Sequence, residues 1–181
     1  MASVRDHLPV QLIVAVFSRH PAALDWAKER LAEKFGPIVL ASEGYHFNQT
    51  RYYEATMGTD LVKRFLVFDR LVAPNCLPEV KHCTNELEEE LRRCGRFPEA
   101  RPLNLDPGTL EMGKFMLATT KDQAHRIYLD RGILAEVTLR FEAGEYVPWP
   151  WTYADYRQES VRAFLGQARE IYSRRLKDEI G

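Results

Sequence analysis

Lys121, His125 and Arg126 lie within six residues of one another in the segment ATTKDQAHRIYL. An ammonium, an imidazole and a guanidinium gathered where a loop runs into a strand can hold a phosphate or a carboxylate. Upstream, RPLNLDPG adds the amide of Asn104 and the carboxylate of Asp106. Glu136 in ILAEVTLRF and Glu54 in YYEATM supply two further carboxylates. Carboxylates on neighbouring strands can flank a divalent cation or share a proton. On this reading Asp106, His125 and Glu136 are the acid–base candidates, and Lys121, Arg126 and Asn104 hold a ligand. Glu54, Asp106 and Glu136 are the candidate ligands of a divalent metal. Trp151 and Tyr153, from VPWPWTYADY, would wall the pocket by stacking.

Each of these groups has a plainer use. Asp-Pro-Gly within NLDPG suits a type II turn, with Asp106 as its cap. TTKDQAHR can be a solvated loop whose Arg126 pairs with Glu136 across a hairpin. Glu54 and Glu136 can lie on an open sheet face. The tryptophans and tyrosines can pack a last helix onto a sheet.

Better-defined motifs are missing. Gly108 to Lys114 fits the first seven positions of a phosphate-binding P-loop, but Phe115 stands where magnesium needs a hydroxyl. The residues that follow, FMLATT, read as a strand where a P-loop needs a helix. The chain has no GxGxxG, no HExxH and no GxSxG. TTKDQ matches a guanine-binding NKxD box only loosely. Cys76, Cys83 and Cys94 form no CxxC pair, which argues against structural zinc and a disulfide framework and for reduced thiols in a cytoplasmic protein.

The elements that must position these groups follow from periodicity. Leu12 to Phe17 is an uninterrupted apolar run, the pattern of a central strand covered on both faces. It reads as a strand and not as a signal peptide. A helix follows from about Pro21 to Phe35, with Leu24, Ala27, Leu31 and Phe35 as its stripe and Gly36 as its stop. Ile38 to Ala41, Tyr52 to Met57 and Phe65 to Phe68 read as strands. Leu77, Val80, Leu87, Leu91 and Cys94 mark the clearest helix. Lys81 and Thr84 interrupt its stripe, so they either sit at its rim or point into a pocket. Met116 to Thr119, Arg126 to Leu129 and Ile133 to Glu142 are strands, the last two a hairpin through Asp130-Arg131-Gly132. Ile133 to Glu142 alternates strictly, with Glu136, Thr138, Arg140 and Glu142 on one face. A last helix runs to Lys177.

Hairpin-linked strands with three main helices predict a single α+β domain over residues 1–181. The sheet should be largely antiparallel, a ferredoxin-like arrangement with extra strands. The 25 basic residues nearly match the 26 acidic ones, and no apolar run spans a bilayer. The balance advertises neither nucleic acid nor a membrane surface. Acidic residues around the aromatic cluster also argue against single-stranded nucleic acid.

Taken in order, YYEATMG, KHCTNELE, RPLNLDPG, ATTKDQAHRIYL, ILAEVTLRF and WTYADYR resemble DUF4416, a bacterial and archaeal family. The resemblance runs from PVQLIVAVF to the final helix. It implies membership without an activity, although some relatives carry a GTP-binding label. Two functions from different classes stay open. One is a protein, enzymatic or not, for a small anionic ligand, phosphorylated and nucleotide-like, with or without a divalent metal. The other is a non-catalytic module that binds a protein partner.

Overall fold

The computed structural model describes residues 3–180. Nine strands form one sheet: β1 (Val10–Ser18), β2 (Ile38–Ala41), β3 (Tyr45–His46), β4 (Val62–Val72), β5 (Asn104–Leu110), β6 (Lys114–Thr119), β7 (Ile127–Asp130), β8 (Ile133–Glu142) and β9 (Glu145–Pro148). Four helices accompany them: α1 (Pro21–Phe35), α2 (Glu54–Met57), α3 (Leu77–Arg93) and α4 (Glu159–Ile180). The strand order is β2-β4-β1-β5-β6-β8-β7, with β3 added to β4 and β9 to β8. Every pairing is antiparallel. The part β2-β4-β1-β5, with α1 and α3 as crossovers, is the expected ferredoxin-like unit. β6 to β9 are its extra strands.

The alternation of β1 sorts the two cores. Leu12, Val14 and Val16 pack with Leu24 and Leu31 of α1 and with Val80 and Leu87 of α3. Ile13 and Ala15 face the other way, with Phe65, Phe115 and the α4 residues Leu165 and Tyr172. A ferredoxin-like unit leaves one sheet face bare; here α4 covers the middle of that face. The end of the face beside α4 stays concave.

Three local expectations are corrected. Tyr52 to Met57 is not a strand. The amides of Thr56 and Met57 bond back to the Tyr53 carbonyl, at 3.0 and 2.8 Å, and close one turn of helix. Met57 is buried there against Phe17, which decides the local conformation. β8 does not alternate strictly either. Phe115 faces Leu139 while Met116 faces Val137, so Thr138 is an extra, bulged residue. Ile133 and Ala135 therefore pack with Leu77 of α3, whereas Leu139 joins the core under α4.

The third correction is NLDPG, which is strand β5 and not a turn. β6 pairs only with Gly108 to Leu110, so the first half of β5 has β1 on one side and no strand on the other. Two α3 side chains stand in for the missing strand. Glu88 Oε1 accepts from the Leu105 amide at 2.7 Å, and Lys81 Nζ donates to the Leu105 carbonyl at 2.8 Å. Buried backbone groups need such partners. Alternate residues of a strand face the same edge, so the nitrogen of Pro107 faces this open side, where it loses no ladder bond. The expected β7–β8 hairpin is present. Arg131 and Gly132 both have positive φ, 47° and 78°, as a two-residue primed turn requires.

Candidate functional site

A cavity of about 370 Å³ occupies the concave end of the α4 face. Its floor is Lys63 of β4, Asn104 and Asp106 of β5, Leu117 of β6 and Glu136 of β8. Its walls are the loop from Phe47 to Tyr53, the loop from Thr119 to Arg126, and the turn from Tyr153 to Tyr156. Lys81 reaches it from α3, on the opposite face, by way of the open edge of β5.

Five cationic side chains line the cavity (Lys63, Lys81, Arg101, Lys121, Arg126) against three carboxylates (Asp106, Glu136, Asp155). Most are committed to one another. Lys63 Nζ lies 2.6 Å from Asp155 Oδ2, with the two side chains 3% and 5% exposed. The Lys63 ammonium also sits 4.6 Å from the ring centre of Tyr156 and 5.1 Å from that of Phe47. Rings and carboxylate together replace the water this charge has lost. Arg126 spends all three guanidinium nitrogens. Nε donates to Glu136 Oε2 at 2.8 Å, Nη1 to the Lys121 carbonyl at 2.8 Å, and Nη2 to the Tyr153 hydroxyl at 2.6 Å. Arg101 gives Nε and Nη2 to Glu88. Lys121 pairs with a ring: its ammonium lies 4.0 Å from the centre of exposed Tyr52, across the cavity mouth.

The electrostatics follow from these neighbours. Burial raises the Asp106 carboxyl, but Lys81 and then Lys63 outweigh it and hold it below the usual carboxylate range. Asp106 is thus an anion at neutral pH, 29% exposed and 3.6 Å from Lys81 Nζ. Burial first, and the nearby carboxylates second, push the phenols of Tyr53, Tyr153 and Tyr156 upward. They are neutral hydrogen-bonding groups at neutral pH and not bases. Three buried polar atoms of lining residues make no hydrogen bond of good geometry: the Gln49 side-chain oxygen, the Tyr156 hydroxyl, and the Asn104 amide nitrogen, which nevertheless lies beside the Asp106 carboxylate and helps hold it ionised.

A family model for a domain of unknown function, DUF4416, matches residues 8–172. The chain belongs to that family. No curated protein and no solved structure matches it. In this DUF4416 chain the stretch Gly108 to Lys114 is the end of β5, a hairpin turn and the first residue of β6. No helix follows, so it is not a P-loop.

The residues singled out from the sequence divide into two groups. Asn104, Asp106, Lys121, Arg126, Glu136 and Tyr153 meet at the cavity. Glu54, His125 and Trp151 are not on its lining. Glu54 sits on α2 and pairs with Arg51 at 3.1 Å. Its misplacement follows from reading that segment as a strand. His125 Nε2 touches Glu136 Oε2 at 3.2 Å, but its ring stacks on Trp151 at 5.3 Å and lines a second groove between β7 and α3. Trp151 in turn stacks on Trp149 at 5.2 Å, 6° from parallel. The three candidate metal ligands are therefore not brought together. Among the described residues, no group of three His, Cys, Asp or Glu side chains is placed to hold a metal ion.

Four charged lining residues were absent from the sequence candidates: Lys63, Lys81, Arg101 and Asp155. Lys81 had left a trace, since it breaks the apolar stripe of α3; it points into the cavity, while Thr84 turns its hydroxyl back to the Lys81 carbonyl. Lys63 in VKRFLVF looks like any outward residue of an alternating strand. Only the ring of aromatics around it marks it as buried.

Proposed function

We propose that the cavity binds a small anionic compound bearing a phosphate or a carboxylate. The observation that carries this reading is the excess of cations on its lining, with Lys121 at the mouth resting on a ring and no carboxylate needed to hold it. The inner ion pairs fix the cations in place before any ligand arrives, which reduces the ordering cost of binding. Arg126 belongs to this framework and is not a primary anion holder, because each of its three nitrogens is already bonded within the protein. A reducing, cytoplasmic setting is in keeping with the free thiols of Cys76, Cys83 and Cys94. No helix among the described residues is long and apolar enough to cross a membrane.

Isothermal titration with inorganic phosphate, pyrophosphate and citrate tests this. Lys121→Ala should weaken the best of these by roughly tenfold, the loss of one charge-assisted contact. Its melting temperature should match the wild type, since Lys121 is exposed. Titrations flat with every anion would end the reading.

One observation favours a second reading. β7 is the last strand of the sheet, all four of its residues are exposed, and Ile127 and Tyr128 are 72% and 62% exposed. An apolar edge with unpaired backbone groups is a template for another strand. A second copy fits it by a two-fold axis, β7 against β7. Sedimentation should then show dimers in the wild type and monomers in Ile127→Lys. A wild type that stays monomeric across a wide concentration range would remove this reading.

A further inference from the structure

We propose, building on the anion reading, that the ligand is an aromatic monocarboxylate: its one carboxylate meets Lys121 at the mouth, and its ring lies inside among Tyr53, Tyr153 and Tyr156.

Most of the positive charge around the cavity is already neutralised by the protein itself. Lys63 pairs with Asp155 at 2.6 Å, Arg126 with Glu136 at 2.8 Å, Arg101 with Glu88 at 2.9 Å and Lys81 with Asp106 at 3.6 Å. An anion brought to any of these cations meets the paired carboxylate as well, and the two effects largely cancel. Among the described residues, Lys121 is the one cation of the lining that makes no ion pair; its ammonium rests on the Tyr52 ring at 4.0 Å. One unneutralised ammonium answers one negative charge. A carboxylate brings one, whereas a phosphate monoester brings about −1.5 to −2 at neutral pH.

What the interior offers beyond those pairs is mainly aromatic. Phe47, Tyr52 and Tyr53 line one wall, and Tyr153 and Tyr156 line another, with Leu117 on the floor. Burial keeps the phenols of Tyr53, Tyr153 and Tyr156 neutral. Neutral rings on two of three walls suit a flat, largely apolar body. A polyol in the same place would bring many hydroxyls to groups already bonded to one another, and unpaired hydroxyls are costly to bury. The size agrees. About 370 Å³ is near the lower end of the ~300–1,000 Å³ range of ligand pockets. A single ring with its carboxylate is enclosed by such a space, whereas a nucleotide leaves much of itself outside.

One polar atom inside still lacks a partner. The Tyr156 hydroxyl makes no hydrogen bond, although the residue is 1% exposed and on the lining. Native structures keep few such groups without a use. Its phenol is held protonated, so it can donate. An oxygen on the ligand's ring can accept that bond, which singles out hydroxylated aromatic acids within the class.

Isothermal titration of the full chain with benzoate, the three monohydroxybenzoates, acetate, phenol, inorganic phosphate and AMP tests this. The best hydroxybenzoate should bind at least about tenfold more tightly than acetate, phenol, phosphate and AMP, through ring burial and the charge together. It should also bind about fivefold more tightly than benzoate, the worth of one hydrogen bond. Lys121→Ala should weaken benzoate by roughly tenfold and leave phenol unchanged. Tyr156→Phe removes an unpaired hydroxyl, so it should keep its melting temperature and bring the hydroxybenzoates down to the level of benzoate. Should that variant fail to fold, the wild-type ratios decide alone. Acetate binding as tightly as the aromatic acids, or tighter binding of phosphate or AMP, would overturn the aromatic assignment and leave the anion reading standing. Hydroxybenzoates no tighter than benzoate, or still favoured in Tyr156→Phe, would overturn the role given to Tyr156. Phenol binding as tightly as the best acid, or no binding of any anion, would overturn the aromatic assignment and the anion reading together.

Discussion

Arg126→Met is expected to cost the folded protein about 3–5 kcal/mol, the usual penalty for breaking a buried ion pair from one side. The Glu136 side chain is 1% exposed and that of Arg126 is 2% exposed. Without the guanidinium, Glu136 keeps His125 at 3.2 Å and a distant contact from Thr138 at 3.5 Å. The Lys121 carbonyl and the Tyr153 hydroxyl lose a donor in the same step. These two contacts tie the loop over the cavity to the turn before α4, so the loss reaches the cavity walls as well as the core. Against a typical total stability of about 5–15 kcal/mol, this is a large fraction. Urea unfolding of wild type, Arg126→Met and the double variant Arg126→Met/Glu136→Leu measures it. The double variant should recover much of the loss, because no charge is then left buried alone. A single variant as stable as the wild type would mean that Glu136 sheds its charge at little cost. The pair would then be no part of the framework assumed for ligand binding.

That expectation reverses what the sequence suggested for Arg126. The cluster Lys121, His125, Arg126 is real as a neighbourhood, but strand geometry separates its members. Lys121 lies on the loop and stays outside; Arg126, at the entry to β7, turns inward; His125 turns to the other side of Glu136 and stacks on Trp151. Spacing along the chain shows which chemical types are close. It does not show which face each one takes. What periodicity could carry, it did: β1 as a doubly covered strand, α1 and α3 as helices, the β7–β8 hairpin and the antiparallel α+β sheet.

The failures share a cause, which is tertiary structure overriding local preference. Asp-Pro-Gly has the chemistry of a turn, and only the open edge of β5 makes it acceptable in a strand. The bulge at Thr138 changes the face of every residue after it, and no residue type announces it. Lys63 is read as a surface residue by default and Lys81 left the choice between rim and pocket open, because a buried lysine is rare and needs a partner that lies far away in sequence. Their partners, Asp155 and the Leu105 carbonyl, lie 92 and 24 residues away.

Gly108→Ala is the second change expected to have a large effect, and it tests how β5 and β6 are held. A Cβ at Gly108 would run into the Met116 carbonyl oxygen and lie 2.8 Å from the Phe115 ring. Neither can step aside alone. The oxygen belongs to the backbone of β6, and Phe115 is stacked on Tyr156 at 5.8 Å in the core under α4. β6 must move away from β5 as a unit, and overpacking of this kind costs roughly 3 kcal/mol. Gly113 supplies the control, since nothing lies within 4 Å of a Cβ added there. Gly113→Ala should leave stability unchanged or raise it by up to about 1 kcal/mol through the unfolded chain. Denaturation midpoints of the two variants measure the contrast. Gly108 is the residue at which β5 passes from an open edge to a paired strand, so the movement of β6 also alters the cavity floor between Asp106 and Leu117. Anion binding should therefore weaken in Gly108→Ala even in the fraction that stays folded, and remain intact in Gly113→Ala. If Gly108→Ala were as stable as Gly113→Ala, the close contact would not constrain β6, and the floor of the cavity would be free to change shape.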